Sequence, residues 1–450
     1  MSIPLSTTPT GGKSHFDAVI IGGGIAGLQA ALDLADQDYQ VLVVEKNASI
    51  GGRMISLSKV FPTLDCASCI TTPKMSAAAH HPNITLLTQT SVDTVALDGL
   101  RHRLILTRQP LYVDPARCIG CRQCEYECPV EYPDPFEQGL GATRAIAVPF
   151  TNAIPQRAVL NPDYCIACGS CVRICPTDAI HHDAQPETFA IEADAVILAT
   201  GFKLDSLTRK PEYNAAYSKN ILSPLQLERL LAPHGPFGRV VRPSDGKVPG
   251  SIAFVLCAGS RDLSLGVPYC SRVCCMYSIK QAMLLSGSLP TADLTIYYMD
   301  IRTFGKGYEQ FYQNAKAMGI NFVKGKVARV TPADGGDLLL RVEHEEEGGV
   351  VRENRHDLVV LASGILPQLE TPDLLGVDKE ADGFVKQPDP ARPAWTGCKG
   401  IFVAGVATGP KDIVDTIVEA GAAAMEASRY LSSRQPAAAK SVEPVLTANA

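Results

Sequence analysis

Cys118, Cys121, Cys124 and Cys128 are followed by Pro129; 47 residues on, Cys165, Cys168, Cys171 and Cys175 are followed by Pro176. Each run reads Cys-x-x-Cys-x-x-Cys-x-x-x-Cys-Pro, a spacing suited to Fe4S4 cubes. Three thiolates on a tight loop each reach a corner of one cube. The fourth, beyond the turn, points away and ligates the partner cube. The first cube is therefore assigned to Cys118, Cys121, Cys124 and Cys175, and the second to Cys165, Cys168, Cys171 and Cys128. Zinc favours two separated cysteine pairs over triplets with a trailing Cys-Pro. A disulfide framework is disfavoured in a large chain whose residues 1–15 contain no apolar signal core. The chemistry these residues predict is movement of single electrons.

A second set of residues points to a nucleotide. Residues 17–21 read as a buried strand and residues 28–34 as a helix, with Gly22-Gly23-Gly24-Ile25-Ala26-Gly27 between them. Val41 to Val44 reads as the next strand and ends at Glu45. This is G-x-G-x-x-G in its strand–turn–helix context. The glycines admit a pyrophosphate to the helix N-terminus, and Glu45 is placed for ribose hydroxyls. Gly51-Gly52-Arg53 resembles the extension found in FAD-binding oxidoreductases of the glutathione-reductase and thioredoxin-reductase type. Residues 195–201 (A-V-I-L-A-T-G), which end in Thr200 and Gly201, are similar to that family's strand-plus-Ala-Thr-Gly segment. Residues 400–407, with Gly405, resemble its C-terminal FAD-contact strand; an Asp normally follows the Gly, and Val406 stands there instead.

Residues 194–201 are echoed by residues 357–364, so each segment closes one lobe of a double-lobed fold. The second lobe opens with a strand over residues 252–256. Cys257 follows it, with no glycine triplet, and then come Cys270, Cys274 and Cys275. Spacing alone leaves two readings open: four thiolates for one cube, or buried packing cysteines.

Residues 259–262 (Gly-Ser-Arg-Asp), 268–277, 409–413 (Gly-Pro-Lys-Asp-Ile) and 64–70 (Leu-Asp-Cys-Ala-Ser-Cys-Ile) make the chain resemble the A subunit of heterodisulfide reductase (HdrA). It resembles the related A subunit of the quinone-interacting oxidoreductase complex of sulfate reducers too. The likeness runs from Phe16 to Leu431 and implies that Cys257, Cys270, Cys274 and Cys275 ligate a cluster of non-ferredoxin type. It implies an α/β fold, two-lobed and glutathione/thioredoxin-reductase-like, with an inserted 2[4Fe-4S] ferredoxin-like α+β module. The cofactors implied are FAD, two ferredoxin-type [4Fe-4S] clusters and a third cluster. The candidate FAD residues are Gly22, Gly24, Ile25, Ala26, Gly27, Glu45, Lys46, Gly52, Arg53, Thr200, Gly201, Gly405, Lys411, Asp412 and Ile413. Lys411 is a candidate cation beside the flavin ring, or a phosphate or capping contact. Cys66 and Cys69 keep three readings: part-ligands of a cluster completed elsewhere, a redox dithiol, or structural thiols.

The implied partners are the other components of a heterodisulfide-reductase-like or quinone-interacting complex, and a second copy of the chain. Ferredoxin, or a component of a hydrogenase or dehydrogenase, is the implied exchange partner. Splitting or merging of electron pairs at the flavin is left open. The larger methanogen-type chains carry an extra N-terminal iron–sulfur domain, so this chain reads as a short form. Two rival readings stand beside this one. The first is a self-contained NAD(P)H oxidoreductase resembling the glutamate synthase small subunit, against which the missing second glycine fingerprint argues. The second is an electron relay that has lost FAD.

The elements that must position these residues divide the chain into a leader (1–15), the first part of the FAD lobe (16–107), the ferredoxin module (108–185) and the lobe's continuation (186–250). A second lobe (251–365), the C-terminal part of the FAD lobe (366–434) and a disordered tail (435–450) follow. Residues 104–106 and 189–191 read as strands of a small meander into which the module is inserted. Residues 132–161 form a long linker, read either as a docking loop or as a solvated loop. His80-His81 and His181-His182 read as surface pairs, Cys398 as a packing thiol, and residues 343–347 as a hairpin turn. Hydrophobic content of 46% fits an ample core, and a formal charge of −6 leaves no nucleic-acid footprint. No stretch of about 18 apolar residues occurs, so a cytoplasmic location, or the cytoplasmic membrane face through partners, is expected.

Overall fold

The computed structural model describes residues 10–434. Most of the expected leader and all of the expected tail lie outside the described residues. The first lobe starts with β1 (His15–Ile21), α1 (Ile25–Ala35) and β2 (Val41–Val44), continues with α2 (Ala67–His80) and β3 (Ile84–Leu87), and adds a hairpin, β4 (Thr90–Asp98) and β5 (Arg101–Arg108). The three parallel strands are ordered β3-β2-β1. Ala18, Val19, Ile20, Val41, Leu42 and Val43 are fully buried, as expected when helices cover both faces of a parallel sheet. β1 begins within the expected leader: the His15 imidazole lies 3.0 Å from the Asp194 carboxylate.

Two short segments expected as separate strands are one 12-residue strand, Glu187–Leu198. Its first half runs antiparallel to β5, with Arg108 opposite Glu187. Its second half runs parallel to β1 and also pairs with Ile401–Val403. Everything between residues 108 and 187 leaves and re-enters the sheet at that pair. The excursion carries two five-residue helices, α3 (Gln123–Glu127) and α4 (Ser170–Ile174). Both are preceded by left-handed backbone, at Arg122 (φ 64°) and Gly169 (φ 72°), with further left-handed residues at Gly120 and Ala167. The 47-residue cysteine repeat is therefore also a backbone repeat. Val113, Ile146, Val148, Leu160 and Ile180 give the module a core of its own.

The linker docks inside the molecule. Phe136 and Phe150 stack with centroids 4.6 Å apart and pack on the first lobe's core. Ile154 N–H donates to Ser49 Oγ (2.8 Å), and Ile154 O accepts from Ile50 N–H (3.1 Å). Asn152 Nδ2 donates to Thr72 Oγ1 (2.6 Å), Arg157 to Gln89 Oε1 (2.8 Å), and Arg229 pairs with Glu137 (2.8 Å).

The second lobe repeats the first. Its sheet runs Ile221–Leu222, Leu358–Leu361, Ser251–Val255, Asp293–Tyr298, Asn321–Pro332, Leu338–His344, Val350–His356. The first five strands pair in parallel and the last two extend them as an antiparallel meander. α5 (Pro224–Leu231), with a Ser223 and Gln226 capping box, leads into it. After Ser251–Val255 the chain does not turn straight into a helix: α6 starts only at Cys274 and runs to Ser288.

His356 makes this lobe acid-sensitive. Its ring is buried, with Nδ1 2.8 Å from Ser251 Oγ and Nε2 2.9 Å from Tyr297 OH. Burial pulls its pKa down to about 4. Between pH 6.5 and 4 the unfolded chain therefore binds a proton that the folded chain refuses, so stability falls as pH falls. The loss at pH 5 relative to pH 7.5 should be roughly 2 kcal/mol. Urea titrations at both pH values should show it, and His356→Gln should shrink the difference.

Candidate functional site

The turn after β1 is built for close approach. Gly22 sits at φ 112°, and a Cβ there would lie 2.3 Å from Ala199 O. A Cβ on Gly27 would lie 1.9 Å from Gly22 O, so the third glycine lets α1 pack on β1. A Cβ on Gly52 would reach 2.8 Å from Gly24 Cα. The buried Glu45 holds this turn from the end of β2: Oε2 accepts from Gly23 N–H and Oε1 from Asn47 N–H, both at 2.8 Å. Arg53 donates to Phe202 O (3.0 Å) and lies 4.8 Å from the Phe202 ring, which ties the Gly-Gly-Arg turn to the segment after Gly201. Thr200 Oγ1 is buried without a hydrogen-bond partner, and a Cβ on Gly201 would meet nothing within 4 Å. A backbone cradle, an unmet hydroxyl and open space beside Gly201 fit an FAD pyrophosphate and its sugar chain.

Other candidates for this cofactor have local tasks. The Lys411 ammonium is buried and bonded to Thr408 Oγ1 (2.5 Å) and Glu419. Burial draws its pKa down despite Glu419. Glu419 also accepts from Gly405 N–H (3.1 Å), so it supplies a carboxylate at the turn where Val406 replaces the expected Asp. Asp412 caps the last helix, Ile413–Arg434, through Asp415 N–H (2.8 Å), and accepts from Tyr308 OH (2.6 Å). Ile413 packs against Met54, Val60 and Ala67. Lys46 is exposed; Ile25 and Ala26 form the first turn of α1.

The eight cysteines of the two runs ring two cavities. One is lined by Cys118, Cys121, Cys124 and Cys175 together with Val113, Ala158 and Ile180. The other is lined by Cys128, Cys165, Cys168 and Cys171 together with Val130, Ile146 and Leu160. Each cavity thus takes three thiols from one run and the last from the other. Backbone amides point at the sulfurs: Ala179 N–H lies 3.3 Å from Cys175 Sγ and Ala167 N–H 3.4 Å from Cys165 Sγ. Burial and the neighbouring Cys118 and Cys121 push the Cys124 thiol up to about 12. Bonding to a cation is what would hold that sulfur as a thiolate at neutral pH. Four thiols around each cavity fit a cage of several irons.

In the second lobe the loop that replaces the glycine turn carries Cys257 and Cys270, and the first turn of α6 carries Cys274 and Cys275. Cys274 is the hub, buried with the thiols of Cys257, Cys270 and Cys275 as its electrostatic neighbours. The contact with Cys274 draws Cys270 down to about 6, while the same contacts and burial push Cys274 well up. Arg261 and Arg302, both paired with Asp300, put positive charge beside the cluster of thiols. Cys257, Arg261 and Arg272 all sit at φ near 60°, the kind of strain that marks functional loops. Cys66 and Cys69 lie at the N-terminus of α2, where Cys66 Sγ accepts from Cys69 N–H at 3.4 Å. The thiol contact from Cys69 lowers the pKa of Cys66.

His181 is exposed and His182 half-buried: the His182 Nε2 lies 3.5 Å from Cys171 Sγ and its ring lines the second cavity. No ligand spacing surrounds it in the sequence, and only the folded return of residues 180–182 beside the module's core brings it there. Glu419 was missed for a similar reason, since it lies 14 residues beyond the turn it serves.

Residues 20–72 match the family described as an NAD(P)-binding Rossmann-like domain, and residues 111–131 and 158–181 match the 4Fe-4S binding domain. The chain is 44% identical over 420 residues to the A subunit of the H(2):CoB-CoM heterodisulfide,ferredoxin reductase of Methanothermobacter marburgensis, covering 91% of this chain and 63% of that protein. It is 44% identical to the iron-sulfur A subunit of the CoB–CoM heterodisulfide reductase of Methanocaldococcus jannaschii, covering 93% and 64% respectively. It is 42% identical to the second such iron-sulfur chain of Methanopyrus kandleri, covering 96% and 66%. The chain thus spans a little under two thirds of the length of these curated relatives. Thioredoxin reductase from Lactococcus lactis shares the fold at 15% identity (TM-score 0.52, 93% of this chain, 99% of that one). The enzyme from T. acidophilum shares it at 16% (TM-score 0.51, 94% and 99%). The fold is therefore α/β and thioredoxin-reductase-like, with a 4Fe-4S binding unit inserted.

Proposed function

Over the length it spans the chain belongs to the HdrA family of heterodisulfide reductases, and from that premise we propose that it is an FAD- and iron–sulfur-containing electron-transfer subunit of a heterodisulfide-reductase-like complex. One observation carries the reading: two four-cysteine cavities, each completed by the opposite run, sit in a module whose linker is bolted to the dinucleotide lobe. When bound, FAD supplies exchange of electrons in pairs or singly, and each cube accepts one.

The chain's own residues do the placing. Cys118, Cys121, Cys124 and Cys175 hold the first cube, and Cys128, Cys165, Cys168 and Cys171 the second. Cys257, Cys270, Cys274 and Cys275 hold a third, with Arg261 and Arg302 offsetting its negative charge. Gly22, Gly24 and Gly27 admit the pyrophosphate; Glu45, Gly52, Arg53, Thr200, Gly201 and Gly405 shape the rest of the FAD site. Apolar residues line much of each cavity, Cys121 and Cys168 stay exposed, and amide hydrogen bonds to the sulfurs supply tuning. The terminal substrate site belongs to partner subunits, and splitting of electron pairs would be an activity of the whole complex. A self-contained NAD(P)H oxidoreductase is disfavoured, because a cysteine loop occupies the turn where a second nucleotide would rest.

Iron and flavin counts on anaerobically purified chain test this directly. About twelve irons and one FAD per chain are expected; zinc, or no iron, with flavin present would refute the reading. Crossed ligation adds a sharper check. Cys175→Ala should deplete the cube whose other three ligands are Cys118, Cys121 and Cys124. Selective loss of the other cube's electron paramagnetic resonance signal would contradict the assignment.

A further inference from the structure

His182 lies outside both cysteine runs, yet its ring lines the cavity of Cys128, Cys165, Cys168 and Cys171, with Nε2 3.5 Å from Cys171 Sγ. Most of the remaining wall there is apolar: Val130, Ala145, Ile146 and Leu160. No imidazole lines the other cavity, so the 47-residue repeat does not duplicate this contact. An iron-bound thiolate carries no proton and can only accept. The ring nitrogen facing it must then be the one that bears hydrogen.

We propose that His182 donates a hydrogen bond from Nε2 to the Cys171 thiolate and thereby raises the reduction potential of the second cube alone. This role presupposes the iron–sulfur reading of that cavity. Reduction adds one negative charge to a cube, and a donor aimed at a ligating sulfur stabilises the more negative state more. Backbone amides supply other donors here, Ala167 N–H to Cys165 Sγ at 3.4 Å among them, and His182 adds an imidazole that the first cavity lacks. His182 is on this account a positioning and tuning residue, not a ligand.

The test uses the full chain, purified without air. With 15N-labelled histidine, pulsed paramagnetic resonance of the reduced wild-type protein should show an imidazole nitrogen coupled to one cube, and His182→Gln should lose that coupling. In potentiometric titrations His182→Leu should shift one of the two ferredoxin-type signals. At the wild-type midpoint its ratio of reduced to oxidised cube should fall roughly three- to tenfold, the part of a charged hydrogen bond's worth that differs between the two redox states. His182→Gln, whose side-chain amide can still donate, should restore most of that loss. Unchanged titrations in His182→Leu with both cubes retained would overturn the proposal, as would histidine coupling that persists in His182→Gln. Should His182→Leu shed its clusters, the label and His182→Gln decide alone. A wild-type chain without ferredoxin-type clusters would overturn both this role and the function it rests on; clusters present without histidine coupling would overturn this role only.

Discussion

The Gly27→Ala chain is expected to emerge from an anaerobic column with its iron but with flavin reduced at least about tenfold. A methyl group at position 27 would stand 1.9 Å from the carbonyl oxygen of Gly22, well inside van der Waals contact. Both atoms belong to backbone that is held on several sides. α1 packs on β1 through Leu28 and Ala31, both fully buried, and Glu45 grips the turn through Gly23 N–H. Either the helix lifts off the sheet or the turn distorts, and both move the amides that must face the pyrophosphate. The ferredoxin-like module keeps its own core, so its clusters should survive. Gly287→Ala is the control: that residue lies within α6, its added Cβ meets nothing within 4 Å, and an alanine in a helix is neutral to stabilising. Absorbance at the flavin band per iron, measured on the three proteins, reads the difference. Full flavin content in Gly27→Ala would show that the turn does not hold FAD.

Lys280→Met should be the most destabilising single change in the second lobe. Lys280 on α6 and Glu228 on α5 form an ion pair in which each side chain is 2% exposed. Burial alone would push the Glu228 carboxyl up. Lys280, with hydrogen bonds from Ser58 (2.7 Å) and Gln281 (2.6 Å), overcomes that and holds it below the usual range. Lys280 Nζ also donates to Lys59 O (2.8 Å), so three segments, from both lobes, converge on one pair. Removing only the cation strands a buried carboxylate and should cost about 3–5 kcal/mol. Removing both charges, as in Glu228→Leu with Lys280→Met, should recover most of that loss, because the desolvation penalty disappears with the charges. Denaturant titrations of the single and double variants check the asymmetry; equal losses would mean the site matters for packing rather than for charge.

What was legible in the sequence was chemistry written in short spacing. The cysteine runs, the glycine turn and the strand ending at Glu45 each lie within one or two elements, and backbone geometry at that range leaves little choice. The cysteine-bearing loop of the second lobe was visible as a missing glycine triplet. What could not be read were meetings between distant residues. Ile154 bonds to Ser49 across 105 positions, and Arg229 reaches Glu137 across 92. Nothing local in residues 132–161 says that a proline-containing loop will cement two units together. Lys411 reads in the sequence as a cation beside the flavin ring or as a phosphate or capping contact, and nothing local shows that Glu419, eight residues further on, pairs with it.

The module departs after Arg108 and returns at Glu187, two residues that face each other in register across neighbouring strands. Such a hairpin tip is where a chain best tolerates foreign sequence, since the ladder on either side stays intact. A flavin lobe could therefore acquire a wired cargo at that point without breaking its sheet, but Phe136, Phe150 and Ile154 now pack on the lobe's core, so cutting the whole segment away again would uncover it.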